Sequence, residues 1–418
     1  MAEPPASPAT AGPKTRFKPE SSAMILLLTV LVAFGAMSNN IVLPSLPALS
    51  RAFQAPAGIA MLAVSAFFWG FGVGQLFYGS LSDRFGRRPV LIGGLGLYTL
   101  ASATCIAAPD METLMATRIL QGLGAASTQV LARAIVRDHY TPIRAARVLS
   151  LMAAAFAFAS ALAPLAGGLS QSWLGWQGAF MTLTAMGLAT SLVVWLRFGE
   201  SLGDRDATAM NPARLLANYR SFCRSRVFAG YTLTFATAFG GMFAFHSGSS
   251  FVFIKLLGFS PEMFGLFFAF VIGGYFAGTL ISARLTMRLG IYRLVALGIA
   301  ICVGSGSLML ALVVAGPTSA AAILVPQFAF MLGIGLILPN TIAGALAPFP
   351  DRAGAASALL GFCQQTGGAV MVALLAILVD GTAIPMAGCI LAGALLSLIC
   401  FAVILPRPNG TPEAAHCN

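Results

Sequence analysis

Charged side chains are scarce in this chain: Asp, Glu, Lys and Arg together make up 9% of its 418 residues. A soluble domain carries about 25%, so the sequence lacks the polar surface needed to face water on every side. Acids are the scarcer kind, 13 against 24 Lys and Arg, and all of them fall outside the middle of the apolar runs. The seven cysteines form no CxxC pair and lie mostly in apolar stretches, where they read as small packing residues rather than disulfides or metal ligands. HExxH, GxSxG and Walker sequences are missing, and Gly94-Leu-Gly96 and Gly122-Leu-Gly124 lack the setting of a dinucleotide loop. We therefore expect no enzyme, no cofactor and no metal. The ten-residue alternation of an outer-membrane barrel is missing too.

What is present is apolar length. The chain is 58% hydrophobic, with a mean hydropathy of +0.87. Runs of about 20 apolar residues, each able to cross a bilayer core of about 30 Å as a helix, recur along it. A first helix opens at Met24–Met37, with Asn39 and Asn40 still within its reach. The rest are expected at 58–80, 89–108, 112–136, 145–169, 176–198, 226–253, 262–286, 292–315, 320–346, 354–379 and 384–405. One polar break, 199–225, divides them. The sequence thus predicts an all-α membrane protein of twelve transmembrane helices in two six-helix halves, 22–198 and 226–406. A linker joins them at 199–225, and tails lie at 1–21 and 407–418. Lys14, Arg16 and Lys18 before the first run resemble a signal-peptide start, but eleven further spans argue for a retained helix.

The net charge of +11 does not point to nucleic acid, because the basic residues sit at the ends of the apolar runs. Lys14 to Lys18, Arg84 to Arg88, Arg133 to Arg147, Arg197 to Arg226, Arg284 to Arg293, Arg352 and Arg407 fall on one side. Only Arg51 and Lys255 fall on the other. That bias places the first group, and both termini, in the cytoplasm.

Three places carry chemistry. Gly79-Ser-Leu-Ser-Asp83-Arg84-Phe-Gly86-Arg87-Arg88-Pro89 reads as a tight turn between helices 2 and 3. Gly79 allows close approach, Gly86 relieves the turn and Pro89 starts the next helix. Asp83 can pair with one of the arginines and accept from a neighbouring helix end, latching that side. A solvated basic loop would explain the arginines, but not Gly79, Asp83 and Gly86 at this spacing. Arg288-Leu-Gly290 repeats part of the string, as expected of a duplicated transporter. Arg118 lies within a span, where a guanidinium costs about 2.5–3.5 kcal/mol and should face the bundle interior. Gly122, Ala125 and Gln129 fall within about 40° of it and Gln121 within about 60°. The stripe can border a cavity or glue helices together. Pro164 with Gly167 and Gly168 is either a plain kink or a hinge.

The eleven-residue string resembles the signature of the major facilitator superfamily, and Arg118-Ile-Leu-Gln121-Gly122-Leu-Gly124 resembles its helix 4 motif. Ala163-Pro164-Leu-Ala-Gly167-Gly168 is similar to the antiporter motif, with Ala159 and Ala163 in place of upstream glycines. Leu43-Pro44-Ser-Leu-Pro47, Arg133-Ala-Ile-Val-Arg137-Asp138, Phe251-Val-Phe and Ala355-Ala-Ser357-Ala-Leu-Leu-Gly361 look like the Bcr/CflA drug-efflux branch. The resemblance implies export of small organic molecules such as bicyclomycin or chloramphenicol in exchange for protons. It implies an inner-membrane protein, which we expect to be a monomer. It also implies a helix 1 acid before the Leu-Pro, where this chain has Asn40. An amide cannot titrate, so proton-independent export or uptake of a small metabolite is the alternative, with a non-transporting receptor of this fold a more remote one. His246, in helix 7, is then either a packing residue or a substitute proton site. Asn39, Asn40, Gln327, Asn340, Gln364 and Gln365, with Phe245, Phe251 and Phe362, are the expected cavity lining.

Overall fold

The computed structural model describes residues 21–316 and 319–406; the expected tails with Lys14, Arg16, Lys18 and Arg407 lie outside them. The first six crossing helices are α1 (Ser22–Asn40), α2 (Ala57–Phe85), α3 (Arg87–Ile106), α4 (Met111–His139), α5 (Pro142–Leu174) and α6 (Gln177–Arg197). The second six are α7 (Arg226–Ser250), α8 (261–289), α9 (291–315), α10 (Ala320–Leu346), α11 (Ala353–Leu378) and α12 (Ile384–Val403). Among the described residues, 11 continuous helices are long and apolar enough to cross a membrane. One of these, Pro261–Ala315, runs 55 residues, about 80 Å and far longer than a bilayer core. It breaks at Gly290, where φ is 76° and ψ 162°. Gly278 and Gly298 then pack on the same stretch of α10, at Leu332 and Gly333, so the chain folds back. The result is twelve crossings, as the sequence predicts.

Gly86 makes the matching turn between α2 and α3, with φ 102° and ψ 154°. Positive φ with extended ψ is open almost only to glycine. The faint repeat in sequence is therefore a repeat in backbone geometry.

Lipid offers no hydrophobic drive to press helices together, so close approach must come from small residues. In the first half, α2 and α4 meet where Gly122 lies on the backbone of Phe67 and Gly70 on that of Ile119. In the second half, α8 and α10 meet where Gly278 lies on Leu332 and Gly335 on Tyr275. The halves touch along α2–α11 and α5–α8. Ser65 Oγ donates to the Ala369 carbonyl at 2.9 Å.

Several ends differ from expectation. α5 spans 142–174 rather than 145–169, and α7 stops at Ser250 and passes into a π turn over Phe251–Leu256. Two helices were not foreseen. Leu46–Ala52 is a short helix with Pro47 in its first turn, and Pro212–Arg224 forms within the linker, capped by Asn211. The linker helix lies at one end of the bundle, which we call the linker end. There Tyr219 donates to the Leu76 carbonyl at 3.0 Å, and Phe222 stacks edge-on against Phe349.

Candidate functional site

A cavity of about 320 Å³ lies between the two helix sets. Its lining comes from the C-terminal half of α1, from the middle of α2, α7 and α8, and from the linker-end halves of α4, α5, α10 and α11. The far end is closed by backbone crossings. Gly168 of α5 lies on Pro261 at the start of α8, Gly265 lies on Pro164 and Leu165, and Gly58 of α2 lies on Ala376 of α11. Ser172 Oγ also donates to Glu262 there. The hinge motif thus sits in this closure: Ala163 is buried, Gly167 packs on Ile41 of the α1 end, and Gly168 joins the two halves.

The cavity wall is aromatic with amides set into it. Phe68, Phe71, Phe156, Phe239, Phe243 and Tyr275 supply rings. Asn39, Asn40, Gln75, Gln129, Gln364 and Gln365 supply amides. Gln75 Nε2 donates to Gln129 Oε1 at 3.3 Å, and Asn40 Nδ2 to the Ser160 carbonyl at 3.5 Å. Several expected lining residues are elsewhere. Phe245, Phe251, Phe362, Gln327 and Asn340 do not line the cavity. Phe245 is turned about 200° from Phe243 on a helix and packs against Phe268 instead. Asn340 is tied to Ser282 Oγ at 2.8 Å.

Arg118 is fully buried and does not reach the cavity wall, and neither does Gln121. Its Nε donates to the Ala63 carbonyl at 3.2 Å. Nη1 donates to the Ser38 carbonyl at 3.2 Å and to Gln121 Oε1 at 2.6 Å, and Nη2 to Asn39 Oδ1 at 3.3 Å. The Phe67 ring lies 4.5 Å beneath it. Four hydrogen bonds to a charged group, each worth about 1.5–3 kcal/mol, offset an insertion cost of about 3 kcal/mol. Arg118 therefore ties α1 and α2 to α4, and Asn39 is its one link to the cavity.

His246 lines the cavity. Its Nδ1 lies 2.8 Å from the Met242 carbonyl, which can only accept. That fixes the ring proton on Nδ1 and leaves Nε2 as the nitrogen able to take another. Phe243 and Phe268 flank the ring, each at 4.6 Å.

Sequence reasoning missed Arg133. It was grouped with the topological arginines, yet it lines the cavity. Its side chain is exposed and forms part of the cavity lining. Its position four residues after Gln129, on the face begun by Arg118, was the available signal.

At the linker end the signature string forms a network inside the first half. Arg87 is 2% exposed and binds Asp83 at 2.6 Å, Asp138 at 2.9 Å and Ser82 Oγ at 2.6 Å. Glu200 accepts from the Arg87 and Arg88 amides at 2.8 and 3.3 Å, capping α3. Arg88 donates to the Trp195 carbonyl at 2.9 Å, and Arg84 lies over the Phe85 ring. Nothing lies within 4 Å of a Cβ added at Gly79, so the close approach expected there is not made in this state. The Asp206 amide donates to the Asp83 carbonyl at 3.1 Å. Hydrogen bonds from Thr208 hold the Asp206 carboxyl below the usual range.

The Major Facilitator Superfamily profile matches residues 28–372. The chain belongs to that superfamily. It is 31% identical over 394 residues to "Uncharacterized MFS-type transporter YdgK" of Bacillus subtilis, covering 91% of this chain and 95% of that protein. It is 29% identical to "Multidrug resistance protein D" of Escherichia coli, with 91% and 94% covered. To the "Bicyclomycin resistance protein homolog" of Haemophilus influenzae it is 26% identical, with 92% and 96% covered. These names agree with the Bcr/CflA resemblance of its motifs. A crystal structure of D-xylose-proton symporter superposes with a TM-score of 0.72 at 15% identity, covering 93% of this chain and 99% of that one, and shows the shared fold. The chain is a multi-pass membrane transporter of this superfamily.

Proposed function

We propose that this protein exports small organic molecules across the inner membrane by alternating access, in exchange for protons. The observation that carries the reading is the cavity. Both six-helix sets line it, glycine crossings close its far end, and the lining residues of α4, α5, α10 and α11 lie in the linker-end halves of those helices. An aromatic wall with scattered amides suits compounds bound by shape and stacking rather than by one fixed polar pattern. In this reading 22–198 and 226–406 move as two bodies joined by 199–225, with both termini and the linker end in the cytoplasm. The protein works as a monomer.

Loading occurs from the linker end in the state described. The opposite state requires α2 to approach α11 at that end, and the open space at Gly79 is where it can do so. Asp83 binds Arg87 through Oδ1 but is 40% exposed, so its other oxygen can accept across that gap as a latch. Pro164, Gly167 and Gly168 supply the seal that parts on the far side. Arg118 acts through Asn39 as a positioning residue. His246 takes the proton.

The test is accumulation of chloramphenicol, bicyclomycin and dyes in a pump-deficient host with and without the chain. Equal accumulation for every compound would sink the export reading. Dye flux in proteoliposomes with and without a pH gradient tests the coupling. A second reading, proton-independent export, is favoured by Asn40 and by the lack of any carboxylate on the cavity wall; it predicts flux indifferent to the gradient.

A further inference from the structure

Resting on that export reading, we infer that the cavity selects aromatic anions, whose acidic group seats on Arg133. Among the residues lining the cavity, Arg133 is the one permanent charge, and no Asp or Glu accompanies it. No hydrogen bond or ion pair to Arg133 is present among the described residues. It therefore differs from Arg118, whose fork is filled by four acceptors. It differs from Arg87 as well, which holds two carboxylates.

Its place differs from that of an arginine on the outer surface, because its exposed side chain is part of the cavity lining. Arg133 lies six residues before His139, about 9 Å inside the end of α4, among residues that line the cavity. There the effective dielectric is below that of water, so an unpaired charge attracts an anion and repels a cation more strongly than at a surface. A guanidinium also presents paired donors that match the two oxygens of a carboxylate or sulfonate. Gln129, one turn farther in, and Gln75, bonded to it, offer amides beside the same spot. The rings of Phe68, Phe71 and Phe243 form the deeper wall against which an aromatic body would stack. An acidic head at Arg133 and a flat apolar body toward α7 fill the cavity with matched chemistry at both ends. A cationic drug would meet the same rings, but no counter-charge.

The experiment uses three probes on one frame: naphthalene sulfonate, naphthalene sulfonamide and naphthyl-trimethylammonium. Binding of each to the purified full chain in detergent is measured by equilibrium dialysis, and flux of the two ionic probes in proteoliposomes. Wild type should bind the sulfonate at least tenfold tighter than the ammonium and transport it preferentially. Arg133→Gln should cut the sulfonate-to-sulfonamide affinity ratio by tenfold or more. Arg133→Lys, which keeps the charge, should retain part of that ratio and control for misfolding. An ammonium bound and carried as well as the sulfonate overturns the inference and leaves export standing. An unchanged affinity ratio in Arg133→Gln does the same. Flux of neither ionic probe, with no binding of any of the three, removes both readings.

Discussion

Arg118 Nη2 donates to Asn39 Oδ1 at 3.3 Å, and Asn39 is the residue through which that buried charge meets the cavity. Arg118→Ala would leave the side-chain oxygens of Gln121 and Asn39 without their Arg118 donor and would remove a further donor from the Ser38 and Ala63 carbonyls. Each buried orphan costs about 1–3 kcal/mol, so a marked fall in the unfolding temperature in detergent is expected, together with loss of drug efflux. Asn39→Ala removes one acceptor and the contact with the cavity; it should lower efflux with a smaller loss of stability. If Asn39→Ala transports normally, the link from Arg118 to the cavity is not used.

The two glycine turns permit a matched pair of substitutions. At Gly86 a Cβ would both adopt a forbidden φ and strike the Glu200 carboxylate that caps α3. At Gly290 the backbone is equally unfavourable, but nothing lies within 4 Å. Gly290→Ala should cost the backbone strain alone, about 1–3 kcal/mol, and Gly86→Ala measurably more. Thermal unfolding of both variants decides it; equal losses would show that Glu200 yields freely.

Arg87 holds Asp83 and Asp138 at once, yet the two acids differ in exposure, 40% against 14%. Breaking a buried pair by removing one partner costs about 3–5 kcal/mol when both charges are fully desolvated. Asp138→Asn should approach the lower part of that range, since Asp83 remains as a counter-charge. Asp83→Asn should affect stability less and efflux more, because the latch proposed here uses Asp83 in the state that closes the linker end. Unfolding temperature and dye flux, measured on both variants, separate the roles. A greater flux loss in Asp138→Asn would reverse them.

These sites were unequally legible in the sequence, and the reasons are physical. Arg118 stood out because a charge in the middle of an apolar run has no bland topological explanation. Gly86 and Gly290 stood out because a glycine two residues after an arginine, at the same place in two helix pairs, marks a turn whatever surrounds it. Arg133 was harder to read: near the end of a span an arginine obeying the charge bias and one lining a cavity look alike, and only its place on the helix face shared by Arg118 and Gln129 set it apart. Phe243 and Phe245 show the other limit. In a bundle whose helices are apolar on every face, hydrophobic period carries little information about azimuth, so cavity rings and packing rings are confused. The linker helix Pro212–Arg224 was hidden for the opposite reason, since its polar face made the whole stretch read as a loop.

Arg133 and His246 are joined through the membrane potential. Moving one elementary charge across 100 mV is worth about 2.3 kcal/mol, or about fiftyfold in an equilibrium ratio. An organic monoanion leaving a negative-inside compartment already moves down that potential, so its export needs no carboxylate in helix 1, and Asn40 is no obstacle. If one proton enters on His246 for each anion that leaves, two charges move per cycle, and the limiting ratio should change about 2,500-fold per 100 mV. His246→Gln keeps a polar side chain in place but cannot carry the proton, and should reduce the dependence to one charge. The measurement is the steady distribution of naphthalene sulfonate in proteoliposomes held at a series of potassium diffusion potentials. A two-charge slope that survives His246→Gln excludes His246 as the proton carrier. A slope of opposite sign in the wild type means that the transported species is not an anion.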